Sequence, residues 1–99
     1  MDTIAIDLED LGPRRGRYVA RIEGREAELT FDRRGGGVLR VDHTGVPDSL
    51  GGRGIGAALV KRLVRDARAL GLTIEPRCSF VAAHFKRNPG WADLLAPDA

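Results

Sequence analysis

One cysteine, Cys78, and two histidines are a thin supply of soft ligands for a chain of 99 residues. A lone cysteine cannot close an internal disulfide, which excludes a secreted disulfide scaffold. A Cys-rich zinc module fails on the same count, and two histidines leave a mixed Cys/His metal site short of ligands. Aromatic residues make up only 5% of the chain, too few to offer stacking platforms for nucleic-acid bases. No apolar run approaches the roughly 18 residues of a membrane span, and the first ten residues are acidic rather than signal-like. What remains is 42% hydrophobic and 30% charged. That balance suits a soluble cytoplasmic protein, with 1–99 as one domain rather than two cores.

Net charge says less than its distribution. Sixteen basic residues stand against fourteen acidic ones, for a formal +2. Within one stretch, however, Arg53, Lys61, Arg62, Arg65 and Arg68 face only Asp66. Such a field suits a polyanion, either a nucleic acid or a small molecule carrying phosphates, and equally it is a solvated helix face.

The first half of the chain reads as strands. Asp2 to Leu8 alternates weakly and is broken by Gly12-Pro13. Over Arg17 to Ile22, Tyr18, Ala20 and Ile22 lie on one side, with Arg17, Val19 and Arg21 on the other. Glu23 to Glu26 is a turn candidate. Ala27, Leu29 and Phe31 then alternate with Glu28, Thr30 and Asp32, as in a half-buried strand. After the loop Arg34 to Gly37, Val38 to His43 is another strand. The period then changes: Ile55, Leu59, Leu63, Ala67 and Leu70 form a stripe at helical spacing, ended by Gly71. A short strand from Leu72 to Ile74 is closed by Pro76, a second helix fits Ser79 to Arg87, and Trp91, Leu94 and Leu95 form a last apolar cluster. The expected class is α+β: an antiparallel sheet of three to four strands, followed by helix, strand, helix.

The segment from Leu50 to Ala58 joins strand to helix with four glycines in six residues: Gly51, Gly52, Gly54 and Gly56. Glycine admits positive φ and close backbone approach, and the first N–H groups of a helix lack partners. With the helix dipole and Arg53, these features describe a phosphate site. A Walker loop would end in Gly-Lys-Ser/Thr, whereas Gly56 is followed by Ala57 and Ala58. A dinucleotide fold needs several βα units, and the chain has room for one.

Gly51-Gly52-Arg53-Gly54-Ile55-Gly56 followed by Ala57-Ala58 resembles the pyrophosphate loop of the GNAT superfamily of N-acetyltransferases, whose pattern is Gln/Arg-x-x-Gly-x-Gly/Ala at a helix start. Its small single-domain branch is closer still. Members read His-Thr-Glu-Val before the loop and Cys-Pro-Phe-Val-Ala after the next strand. Here those segments are His43-Thr44-Gly45-Val46 and Cys78-Ser79-Phe80-Val81-Ala82, followed by Lys86-Arg87-Asn88-Pro89. The resemblance spans about Val38 to Leu95. Three departures bear on mechanism. Gly51 replaces Gln or Arg, Gly45 replaces the glutamate one would nominate as base, and His84 replaces tyrosine.

The resemblance implies acetyl-CoA as acyl donor and direct attack by an amine on its thioester. Gly51, Gly52, Arg53, Gly54, Ile55, Gly56 and Ala57 would hold the pyrophosphate, and backbone near Val46 would bind the acetyl carbonyl. Cys78, between a strand end and a helix start, is the first catalytic candidate, as acid or positioning group. His84 would protonate the departing thiolate in place of the tyrosine, although six residues of helix turn it about 600° from Cys78. His43, just before the strand end, is the third. Each also has a plain structural reading, as packed thiol or ordinary histidine. The helices that cover the acceptor in longer members are missing, so an exposed cleft, a partner protein or a homodimer would complete the site. Two other functions stay in play: an acyl-CoA-binding module without turnover, and a nucleic-acid binder using Arg53, Arg62, Arg65 and Arg68. Scarce aromatics and modest charge disfavour the second of these.

Overall fold

The computed structural model describes residues 4–97. Its elements run β1 (Asp7–Asp10), β2 (Arg15–Ile22), β3 (Arg25–Arg34), β4 (Val38–Gly45), a 3-10 turn at Asp48–Leu50, α1 (Ile55–Leu70), β5 (Thr73–Pro76), α2 (Ser79–Arg87) and a second 3-10 segment at Pro89–Leu94. The sheet has the order β1-β2-β3-β4-β5. The first four strands form an antiparallel meander. β5 returns through α1 to lie parallel to β4, with Val38 opposite Thr73 and Val41 opposite Pro76, as a crossover connection requires. The chain is therefore α+β with a mixed five-stranded sheet. No helix among the described residues is long and apolar enough to cross a membrane.

The helical stripe does what its period implies. Ile55, Leu59, Leu63 and Ala67 are buried, with Val60 and Val64 beside them, and they join Leu29, Phe31, Leu39, Val41, Ile74 and Val81 in one apolar cluster. Leu70 is the exception. It stands exposed at the last turn, just before Gly71 closes the helix at φ +69° with its N–H donated to Ala67 O, a conformation glycine adopts without steric cost.

Three expectations need correction. The strand expected over Asp2–Leu8 begins only at Asp7 and continues to Asp10; Asp2 and Thr3 lie outside the described residues. Arg62 takes the Ile6 carbonyl at 2.7 Å, and Ile4 and Ile6 pack on the core rather than joining the ladder. Arg25 and Glu26, expected in a turn, open β3, so the turn is Glu23-Gly24. Val19, grouped with the outward arginines, is fully buried although it lies outside the main cluster. Arg17 and Arg21 flank it on the same face. Their guanidinium groups reach Glu9 and Glu26, roofing the valine with ion pairs and aliphatic stems.

Two irregularities in β4 shape the site. Phe31 pairs with Val41 but Thr30 pairs with His43, so Asp42 is the extra residue of a bulge. Thr30 Oγ1 donates to Asp42 Oδ1 at 2.7 Å and Arg15 reaches the same carboxylate at 3.1 Å. The bulge resets the alternation, putting Thr44 on the side of Leu29 and His43 on the polar side. β5 also leaves its partner here. Arg77 N and Cys78 N both donate to Val41 O, at 2.9 and 3.1 Å, and beyond Val41 the two strands part.

Candidate active site

Where β4 and β5 separate, the chain turns into α1 through the glycine loop. Leu50, 1% exposed, anchors that loop, and Gly51 N closes a turn on Asp48 O at 3.0 Å. Gly52 and Gly54 both take φ +75°, a left-handed conformation that costs other residues about 1–2 kcal/mol. Gly54 is the N-cap of α1, contributes no side-chain cap, and is followed by no acidic residue in the first turn. The first helical bond runs from Ala58 N to Gly54 O at 3.0 Å. The N–H groups of Ile55, Gly56 and Ala57 thus precede the intrahelical ladder and form the positive end of a 16-residue helix.

These groups open on a cleft of about 330 Å³ lined by Val46, Leu50, Gly51, Gly52, Gly54, Ile55, Gly56, Ala57, Phe80 and His84. Seven of the eight residues nominated for the cofactor share it with one nominated catalytic residue, His84. Arg53 is the eighth. Its side chain pairs with Glu23 at 3.1 Å and borders a neighbouring depression with Ile4, Ile22 and Ile55. The far wall comes from α2. The Phe80 and His84 rings, four residues apart, meet at a tilt of 53° with centroids 4.7 Å apart, and a Cβ on Gly56 would lie only 2.6 Å from Phe80 Cζ. Phe80 and Leu50 are the lining residues that sequence reasoning did not single out. The i, i+4 spacing of Phe80 and His84 was the available signal.

The three catalytic candidates are not clustered. Burial, followed by the charges of Arg87 and Lys61, holds the His84 imidazole below its ordinary pKa. The ring forms part of the cleft wall beside Phe80. Cys78 is the N-cap residue of α2, about 9 Å along the helix axis from His84. Its Sγ lies 3.5 Å from Thr44 Oγ1 across the gap between β4 and α2. Burial pushes the thiol pKa up, but the Thr44 hydroxyl and the N–H groups of Val81, Phe80 and Thr44 together outweigh it, and the thiol sits below its usual value. Cys78 should therefore be alkylated by iodoacetamide faster at pH 7 than an exposed unperturbed cysteine, and Thr44→Val should slow the reaction severalfold. Equal rates would remove the argument for a tuned thiol. His43, on the other sheet face, is 58% exposed with Nε2 3.7 Å from Glu28 Oε2.

Two arginines of the basic face of α1 are held by partners within the chain. Arg62 bonds Asp66 at 3.0 Å and the Ile6 carbonyl, with its guanidinium 5.3 Å from the Tyr18 ring centre. Arg68 holds Asp93 at 2.8 Å. Tyr18, the lone tyrosine, is buried and donates to Asp66 at 2.8 Å, so it is part of the framework.

A profile of the GCN5-related N-acetyl-transferase family matches residues 17–94, which takes in most of β2, strands β3 to β5, the glycine loop and both helices. The chain belongs to that family, and with it to acetyltransferases of the GNAT type. Among solved structures, it resembles a GCN5-like protein from Staphylococcus aureus, a proposed N-acetyltransferase solved by NMR in solution. Identity is 28% over 97% of this chain and 91% of that one, with a TM-score of 0.69. No functionally curated protein matches it significantly.

Proposed function

We propose that this chain transfers an acetyl group from acetyl-CoA to an amine by direct attack of the amine on the thioester. One observation carries the reading: an uncapped, glycine-lined helix N-terminus opens on a cleft walled by a second helix. A pyrophosphate there would find the N–H groups of Ile55, Gly56 and Ala57, with Gly51, Gly52 and Gly54 allowing close approach. Arg53 would add charge by leaving Glu23, an exposed pair of little energetic weight. Phe80 and His84 offer an apolar wall to the pantetheine arm. The arm leads past Val46, whose backbone lies where β4 and β5 have parted and would bind the acetyl carbonyl. The bound thioester supplies the activated acyl carbon, and the protein supplies position and polarisation. Cys78, at that same parting, is the candidate acid for the leaving thiolate. A free-thiol assay of CoA release with a panel of primary amines tests the proposal. Release above the rate of hydrolysis supports it.

A second reading has one observation in its favour: Gly45 leaves β4 without a carboxylate where a base is expected. A binding module without turnover would take up acetyl-CoA and release no CoA with any amine.

A further inference from the structure

Just beyond the glycine loop, α1 borders a second cleft of about 360 Å³, lined by Ile4, Ile6, Ala58, Lys61, Arg62 and Arg65. Its floor is apolar, because Ile4 and Ile6 are partly buried and pack on the core. Its rim is cationic, and the three cations are not equivalent. Arg62 is fixed, with the Ile6 carbonyl at 2.7 Å and Asp66 at 3.0 Å. Arg65 reaches only that same Asp66, at 3.4 Å, and its side chain is 71% exposed. Lys61 is exposed. Among the described residues, Asp66 is the one carboxylate that pairs with any of the three. The cleft therefore keeps an excess of positive charge, which suits an anion.

This cleft adjoins the glycine loop. Ile55 borders both the glycine-lined cleft and the depression beside Arg53, and Ile4 borders both that depression and the cationic cleft. Ala57 lines the first cleft and Ala58 the last. Lys61 follows Ala58 by about 4.5 Å along the helix axis, and Arg65 lies about 6 Å further. Lys61 is also near enough to His84 for its charge to lower that imidazole's pKa, so it stands between the two clefts. The loop itself is short of available side-chain charge: Gly51 offers none, and Arg53 is paired with Glu23 at 3.1 Å. A ligand with phosphates at both places would meet backbone N–H groups at the first and side-chain cations at the second.

We infer that the cationic cleft receives the 3′-phosphoadenosine end of the acyl donor, with Lys61 and Arg65 on the ribose 3′-phosphate and the adenine over Ile4 and Ile6. The inference rests on the acetyl-CoA reading above. Acetyl-CoA carries its 3′-phosphate one ribose beyond the pyrophosphate, and a phosphate monoester is close to a dianion at neutral pH. Two cations one turn apart on the same helix can both donate to it. Arg62, held by its own partners, shapes the floor. Recognition of the donor's charge is thus divided along α1: its N-terminus takes the pyrophosphate, and its flank distinguishes CoA from a pantetheine carrier that lacks the 3′-phosphate. A nucleic-acid strand would need the wider row of arginines, of which Arg62 and Arg68 are already held.

Calorimetric titration with acetyl-CoA and with acetyl-3′-dephospho-CoA tests this, since the two donors differ only in that phosphate. The wild type should bind acetyl-CoA about 30-fold more tightly than the dephospho form. Lys61→Ala should weaken acetyl-CoA binding about tenfold and dephospho binding by less than about twofold. Adding Arg65→Ala should bring the two donors within about twofold of each other, and Lys61→Arg should keep most of the wild-type preference. That preference should also shrink as salt is raised. Equal affinities in the wild type, or a preference that survives in the Lys61→Ala, Arg65→Ala double variant, overturn the inference while the acetyl-CoA site stands. Failure of the wild type to bind either donor overturns the acetyl-CoA reading and this inference together. Both side chains are exposed and alanine favours helix, so the variants should fold, which an unchanged melting temperature checks directly.

Discussion

Replacing Gly56 by valine is expected to weaken acetyl-CoA binding by about 100-fold or more, a loss of about 2.7 kcal/mol, in a protein that still folds. A Cβ at this position meets the tip of the Phe80 ring at 2.6 Å, and valine adds two further methyl groups. Phe80 is 40% exposed, so its ring can swing away, but only by entering or uncovering the cleft. The backbone is spared: Gly56 is already helical, and valine costs a helix no more than glycine does. The double variant Gly56→Val with Phe80→Ala should recover part of the lost affinity, since the obstruction is one side chain. Gly54→Val tests the same loop by another route. There φ is +75° with nothing near the missing Cβ, so strain rather than collision disturbs the first turn of α1. Calorimetric titration with far-ultraviolet circular dichroism on the same samples checks both variants. Unchanged affinity in folded Gly56→Val would remove the pyrophosphate from this loop.

Asp66→Ala is expected to cost about 2 kcal/mol of stability, because it strips a charged acceptor from two donors that remain partly buried. Those donors are Tyr18 Oη at 2.8 Å and Arg62 Nε at 3.0 Å. In a domain of this size that is a melting temperature about 10 °C lower. The effect should depend on pH in one direction. Burial raises the Asp66 pKa, but the Tyr18 hydroxyl and Arg62 outweigh it, so the folded carboxyl titrates below its ordinary 3.8. A lowered folded pKa stabilises the protein above the unfolded value, and that contribution is lost as pH falls through the folded one. The gap between wild type and Asp66→Ala should be constant from pH 7 to about pH 5 and should narrow below pH 4. Thermal unfolding of both proteins across that range measures it. A gap that persists at acid pH would mean that the carboxylate's charge contributes nothing.

Both helices were legible because their signals are local. The four-residue spacing of Ile55, Leu59 and Leu63 fixes the buried face of α1. Gly71 supplies the αL residue that ends it, and α2 spans Ser79–Arg87 as its sequence implies. The glycine loop was legible for the same reason, since positive φ and an uncapped helix start leave a mark in composition. What stayed hidden depends on residues far apart in the chain. Arg62 and Arg68 looked available because their partners, the Ile6 carbonyl and Asp93, lie 56 and 25 residues away. Val19 alternates correctly yet is buried, because arginines on its own face fold over it. Thr44 meets Cys78 across 34 residues only because the bulge at Asp42 shifts the alternation of β4. The pairing of Glu28 with Gly45 is a register set by that same bulge.

The central claim is that the glycine-lined cleft holds acetyl-CoA, and a calorimetric titration of the purified wild-type protein tests it most directly. The account predicts saturable binding of one acetyl-CoA per chain in the micromolar range. No binding by a folded sample would contradict it.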